Sequence, residues 1–299
     1  MEQAVTKQRA ILVLGIGLIA VSFASIFIKL CDAPSLVIAA YRLSIASLFY
    51  LIFTRVRMGP LWSGFTRSHI KIVFISGIFL TIHFATWITS LKYTSVASSV
   101  VLVQSAPIFV ALGSFIFLNE RPSRFMLLGI LIALIGSIII SAQDFSLDRN
   151  SLVGNLLAVG GAIGAAGYLL AGRKLRAEID IFRYVTAVYS ITAVLLVIIA
   201  AASGASFVGY RPMTYLLFIA IAFIPQVIGH TTINWALKYF TATAVAVIIL
   251  GEPIGASILA LTILGEKIGM VKIIGAVIIL SGVILAIVSE SRGRKFVKK

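Results

Sequence analysis

The sequence predicts an all-α integral membrane protein: ten transmembrane helices forming two inverted five-helix repeats around a central cavity. Three observations carry that expectation. The 299-residue chain is 60% hydrophobic and 12% charged, with mean hydropathy +1.10, whereas soluble domains carry about 25% charged residues. Its apolar residues fall into ten runs of about 20 residues, each giving ~30 Å of helix, enough to span a bilayer. Finally, residues 91–138 recur as residues 237–284 at a constant shift of 146 with no gap.

The ten runs lie at about 8–30, 35–54, 70–91, 95–118, 124–142, 152–172, 181–203, 214–237, 242–264 and 270–289. The first is long and lacks a small-x-small cleavage signature, so it is expected to be a span and not a signal peptide. Connecting loops are short and leave no room for a soluble catalytic domain. The chain therefore reads as one membrane domain over 1–299, with repeat 1 at about 8–142, repeat 2 at about 152–289 and a basic tail at 290–299. Cys31 is the single cysteine, which excludes an internal disulfide.

Net charge is +15. In so apolar a chain this surplus belongs to loops on one side of a membrane and not to a nucleic-acid surface. With the N-terminus inside, 18 of the 25 Lys and Arg fall on the inner side and 6 on the outer, and Arg42 lies within the second span. That bias predicts cytoplasmic termini in a multi-pass inner-membrane protein. The expected partners are a small-molecule substrate and membrane lipid, with no nucleic acid; oligomeric state is left open.

The repeat aligns Leu91-Lys92-Tyr93 with Leu237-Lys238-Tyr239, Pro107 with Pro253, Glu120 with Glu266, Gly129 with Gly275 and Gly136 with Gly282. Apolar helices share letters by chance, but proline, glutamate, lysine and paired glycines at one offset are a real repeat. The shift covers five spans, an odd number. The second half must then enter the membrane from the opposite face, which is the inverted topology of secondary transporters with a midplane site between the halves.

The motifs that carry a family resemblance are PSLVIAAYRLSIAS in the second span, LKYTS before the fourth, APIF and GEPIG in the fourth and ninth, and LNERPS and LGEKIG as connectors. Paired glycines in the fifth and tenth spans complete the set. Together the chain resembles the drug/metabolite transporter superfamily, the ten-helix EamA-type exporters, over nearly its whole length. Within that superfamily it is similar to bacterial exporters of aromatic amino acids. The resemblance implies export of small metabolites from the cytoplasm, phenylalanine, tyrosine and tryptophan with other neutral amino acids on the narrower match. A multidrug, nucleotide-sugar or sugar-phosphate-like carrier of the same fold is the alternative.

Candidate site residues follow from what hydrocarbon does not tolerate. Glu252 lies about ten residues into its span, ~15 Å deep, where an ionised acid is costly. It must face a wet cavity, find a partner or keep its proton. Its roles are contact with a substrate ammonium, proton coupling, or a neutral acid bonded to a helix kink; its repeat partner is Ala106. Pro107 and Pro253 each remove a backbone hydrogen bond and are expected to kink their helices, shaping the cavity or serving as hinges. His83 and Trp87 share a face of the third span. Gln226, His230 and Asn234 form an i, i+4, i+8 stripe in the eighth, which is expected to face the interior.

Gln104 is a further candidate for the ammonium, while His83, His230 and kinked-helix N–H groups are candidates for a carboxylate. Tyr41, Tyr168 and Trp87 offer faces for an aromatic substrate. Arg42 is expected to snorkel or pair near the outer face in a scaffold role. Gly160 and Gly164, with the paired glycines, read as close-packing faces within or between protomers. There is no GxxxxGK[ST], HExxH or CxxC, so neither an ATP-driven motor, a metal centre nor any other cofactor is expected, and no enzyme is predicted.

Overall fold

The structure, a computed structural model, describes residues 7–94, 96–141, 149–265 and 269–293. Thirteen α-helices and one π-helical segment make up the described chain. In the first half these are α1 (Lys7–Leu30), α2 (Ser35–Met58), α3 (Arg67–Ser90), α4 (Val96–Val103), α5 (Ala106–Phe117) and α6 (Arg124–Ser141). In the second they are α7 (Arg149–Leu175), α8 (Ile181–Ala202), α9 (Pro212–Ile221), the π segment Ala222–His230, α10 (Thr231–Ala236), α11 (Ala242–Ile249), α12 (Glu252–Leu264) and α13 (Met270–Gly293). The apolar run expected at 95–118 is α4 plus α5, that at 214–237 is α9 to α10, and that at 242–264 is α11 plus α12. The tenth helix runs to Gly293, into the stretch expected to be tail. Residues 294–299, Glu266 and Lys267 lie outside the described residues.

Helix limits follow local chemistry. Pro34 precedes α2 with φ −59°, and Gly59 ends it at φ +80°, a conformation L side chains rarely adopt. Thr66 and His69 form a reciprocal capping box at the start of α3. Asp180 caps α8 by accepting from the Phe182 and Arg183 backbone N–H groups, Thr241 caps α11, and Pro212 opens α9.

The principal helix contacts are α6 with α13, α3 with α7, α2 with α8, and α1 with both the π segment and α12. Every one joins a helix of the first half to one of the second. The halves interlock through their cores and do not stand side by side. Glycines permit the closest approaches. A Cβ on Gly129 would lie 2.7 Å from the Gly282 carbonyl oxygen, and one on Gly136 2.7 Å from that of Gly275. A Cβ on Gly164 would lie 2.5 Å from the His83 backbone nitrogen. Each pair of backbones therefore touches where any side chain would force them apart, and these glycine faces pack within the chain.

Large apolar side chains such as Leu12, Val56 and Phe117 are about 70% exposed or more on the perimeter. That outward surface suits lipid, while Arg42, Tyr184, Tyr189 and Phe84 are almost wholly enclosed.

Candidate functional site: a cavity at two helix breaks

The fourth and ninth spans break at equivalent places. Helix α4 stops at Val103 and α5 begins at Ala106, while α11 stops at Ile249 and α12 begins at Glu252. Gln104 and Ser105 fill the first gap, Leu250 and Gly251 the second. Each proline is the second residue of the helix after its break, where a missing N–H costs nothing because that N–H has no helical partner. The prolines thus start new helices, where the sequence suggested kinks within continuous ones. Glu252 becomes intelligible as the first residue of α12. A carboxylate there meets the positive end of the helix dipole, which offsets part of its cost in the membrane.

Both breaks open onto one cavity of about 90 Å³. It is lined from the first half by Val21, Ala24, Arg42, His83, Trp87, Gln104, Ala106 and Pro107, and from the second by Tyr168, Leu169, His230, Ile249, Leu250 and Glu252, among others. Six of the eight residues expected to bind substrate therefore line it: His83, Trp87, Gln104, Tyr168, His230 and Glu252.

The aromatic wall is built across the halves. The His83 ring stacks on Trp87 at 5.7 Å and 11°, and lies 6.5 Å from the His230 ring. Phe84 and Tyr168 flank His230 at 5.4 and 6.4 Å. His83 Nδ1 is 2.9 Å from the Gly161 carbonyl oxygen. A carbonyl can only accept, so Nδ1 carries the proton, and in the neutral ring Nε2 is an acceptor. That orientation suits an ammonium, not the carboxylate suggested by the sequence. Gln104 reverses in the other direction: its Oε1 accepts from Ser137 Oγ at 2.9 Å, leaving the amide N–H groups as its remaining donors. Trp87 Nε1 and His230 Nδ1 are buried without a hydrogen-bond partner among the described residues.

Arg42 corrects the sequence-based expectation most sharply. It does not snorkel; it is 1% exposed and lines the cavity. Its Nε donates to Gln226 Oε1 at 2.7 Å, and its guanidinium carbon sits 4.4 Å from the centroid of the Phe84 ring. Nη1 and Nη2 have no hydrogen-bond partner among the described residues. Position along the span implied shallow depth, but not which way the side chain turns. The available signal was its solitude: Arg42 was the one Lys or Arg placed clearly within a span.

Gln226 and Asn234 lie behind the cavity and not on its wall. The expected i, i+4, i+8 stripe assumed an α-helix, but Ala222–His230 is π-helical, with Pro225 inside and the Thr231 N–H bonded to the Gln226 carbonyl. The wider turn changes the register. Gln226 faces Arg42, His230 faces the cavity, and Asn234 donates to both the Tyr168 hydroxyl and the His230 carbonyl. Tyr41 is also elsewhere: it stacks on Phe218 at 4.3 Å and donates to the Phe207 carbonyl at 2.8 Å. Pro253 is buried but does not line the cavity.

Known proteins place this architecture. Residues 8–142 and 152–288 each match the profile of the EamA-like transporter family. An uncharacterized transporter of Archaeoglobus fulgidus is 25% identical over 94% of this chain and 97% of its own length. The uncharacterized transporter YwfM of Bacillus subtilis is 23% identical over 85% of this chain and 84% of its own. A solved crystal structure superposes with TM-score 0.82 at 17% identity, covering 97% of this chain and all of that one; at that identity the likeness concerns the fold.

Proposed function

We propose that this chain, which belongs to the EamA-like transporter family, exports aromatic and other neutral amino acids across the cytoplasmic membrane as a secondary carrier. The observation that carries this reading is the cavity between the halves, which Glu252, the one acid among its described lining residues, lines together with Trp87, His83, His230 and Tyr168. An amino acid brings an ammonium and an apolar or aromatic side chain. Glu252 and His83 Nε2 accept from the ammonium, and the aromatic wall takes the side chain. Asn234 and Gln226 hold Tyr168 and Arg42 from behind.

The lysine and arginine bias supports cytoplasmic termini. Alternating access then exposes the cavity to each face in turn. Rocking of the halves as rigid bodies, the simplest inference from a repeat, is opposed by the interlocked packing, because every principal helix contact crosses between them. Bending at 104–105 and 250–251, where the helical ladder is already interrupted, moves the ends of two spans while the α6–α13, α3–α7 and α2–α8 contacts stay in place, and of the principal contacts only that of α1 with α12 has to give. Pro107 and Pro253 mark these joints.

The test is flux into proteoliposomes of radiolabelled tryptophan, phenylalanine and threonine, with glucose 6-phosphate and a lipophilic cation as contrasts, with and without a pH gradient. Saturable amino acid flux is expected. Movement of the cation or sugar phosphate, with no amino acid flux, would keep the carrier and overturn its cargo.

A further inference from the structure

We infer that Arg42 and the first turn of α5 form a carboxylate-selecting subsite in the cavity. The Arg42 guanidinium is held on two sides, by Gln226 at Nε and by the Phe84 ring beneath it. This fixes the plane of the group and leaves the Nη1 and Nη2 edge, with four N–H donors, without a hydrogen-bond partner among the described residues although the residue is 1% exposed. A buried cation with empty donors is costly unless something occupies them. The paired N–H groups of a fixed guanidinium match the two oxygens of a carboxylate.

The first turn of α5 adds to this. Ala106 and Pro107 line the same cavity, and α5 has no side-chain cap and no acidic residue in its first turn. Pro107 has no N–H and the Ile108 N–H bonds the Ser105 carbonyl at 3.0 Å, so this helix end contributes its dipole with no side-chain acid to balance it, whereas that of α12 carries Glu252. The remaining amide donors of Gln104 lie in the gap just before α5. Among the described lining residues Arg42 is the one Lys or Arg and Glu252 the one acid. A single cation beside a carboxylate favours a monoanion, because a phosphate dianion would bring a second negative charge with no partner and repulsion from Glu252. The subsite therefore takes a carboxylate. It rests on the amino acid reading only for which molecule carries that group.

The experiment is calorimetric binding to the purified full chain in detergent, using phenylalanine, phenethylamine (no carboxylate), 3-phenylpropionate (no ammonium), lactate and inorganic phosphate. Arg42→Gln is expected to weaken phenylalanine and 3-phenylpropionate by ~10- to 100-fold while phenethylamine stays within about 2-fold. Arg42→Lys keeps charge without the fork and is expected to lose ~3- to 10-fold for the carboxylates, which carries the test if Arg42→Gln does not fold.

Equal loss for phenethylamine would make Arg42 structural and overturn the subsite. Carboxylate binding indifferent to both Arg42 variants, or a preference for phosphate over every carboxylate, would also overturn it. If phenylalanine and phenethylamine fail on the wild type but lactate or 3-phenylpropionate binds through Arg42, the subsite stands and the amino acid reading falls. If no carboxylate binds, both fall.

Discussion

The two helix breaks share a backbone and differ in chemistry. At a constant offset of 146, Gln104 corresponds to Leu250, Ser105 to Gly251, Ala106 to Glu252 and Pro107 to Pro253. Both gaps open on the cavity, and in both the new helix starts one residue before its proline. What differs is charge. One helix N-terminus has no acidic side chain and shares the cavity with Arg42, while the other carries its own carboxylate. The repeat thus supplies a symmetric pair of joints, and the difference between Ala106 and Glu252 gives it a polarity. A cavity with a donor-rich region and an acid suits a substrate that is itself polarised.

The strongest way to break the comparison is to erase its charge difference. Glu252→Ala makes the second break resemble the first and removes the acid from the cavity. A charge-assisted contact contributes about 1.5–3 kcal/mol, so amino acid flux at low substrate is expected to fall ~10- to 100-fold. Proteoliposome flux, with size-exclusion profiles to verify folding, measures this. Unchanged flux would make Glu252 a dipole-compensating structural acid.

The reverse substitution, Ala106→Glu, gives both breaks an acid. Ala106 lines the cavity and is 9% exposed, so the new carboxylate faces the region assigned to the substrate carboxylate. Flux of phenylalanine is expected to fall about 10-fold, equivalent to roughly 1.4 kcal/mol of repulsion. Inhibition of residual flux by phenethylamine should strengthen relative to inhibition by 3-phenylpropionate. Equal weakening of both competitors would mean that the acid only crowds the cavity.

Joints should behave alike where charges do not. Pro107→Ala and Pro253→Ala each change the second residue of a helix, a position with no helical hydrogen bond to restore. Each is expected to lower maximal flux by about 2- to 5-fold with little change in half-saturating concentration, since stability effects of such proline changes are ~0.4–1 kcal/mol. Turnover measured for both variants side by side is the check. A large loss at one proline and none at the other would confine bending to one half.

How much of this was legible follows from particular residues. The repeat was readable because proline, glutamate, lysine and glycine are rare enough in apolar helices that their coincidence at one offset carries information. A midplane cavity between the halves follows from it, whereas His83 and His230 stand out only as polar groups within spans, and packing brings their rings to 6.5 Å. Arg42 was misplaced because distance along a span fixes depth and leaves orientation to packing, here by Phe84 and Gln226. Gln226 and Asn234 face the interior as the polar stripe predicts, but the stripe read at the α-helical period does not tell which of its members reach the cavity where the helix widens. Pro225 marked the place but could equally have signalled an ordinary kink. The glycine faces were identified, but whether they closed within one chain or between two depended on tertiary pairing.

The smallest expected effect tests whether the remaining difference between the breaks matters. Gln104 offers amide donors to the cavity where Leu250 offers only apolar surface. Gln104→Leu makes the two gaps chemically alike while leaving Arg42, Glu252 and both prolines in place. A neutral hydrogen bond contributes about 0.5–1.5 kcal/mol, so half-saturating substrate concentration should rise by ~2- to 10-fold, and by less than for Glu252→Ala. Ser137 Oγ loses its Gln104 acceptor but keeps the Ala133 carbonyl at 3.1 Å, so no buried hydroxyl is orphaned and folding should be nearly unaffected. Concentration dependence of phenylalanine flux decides the matter. A loss exceeding that of Glu252→Ala would move the polarity of the cavity from the charged pair to the amide, and the unequal helix N-termini would then be incidental to recognition.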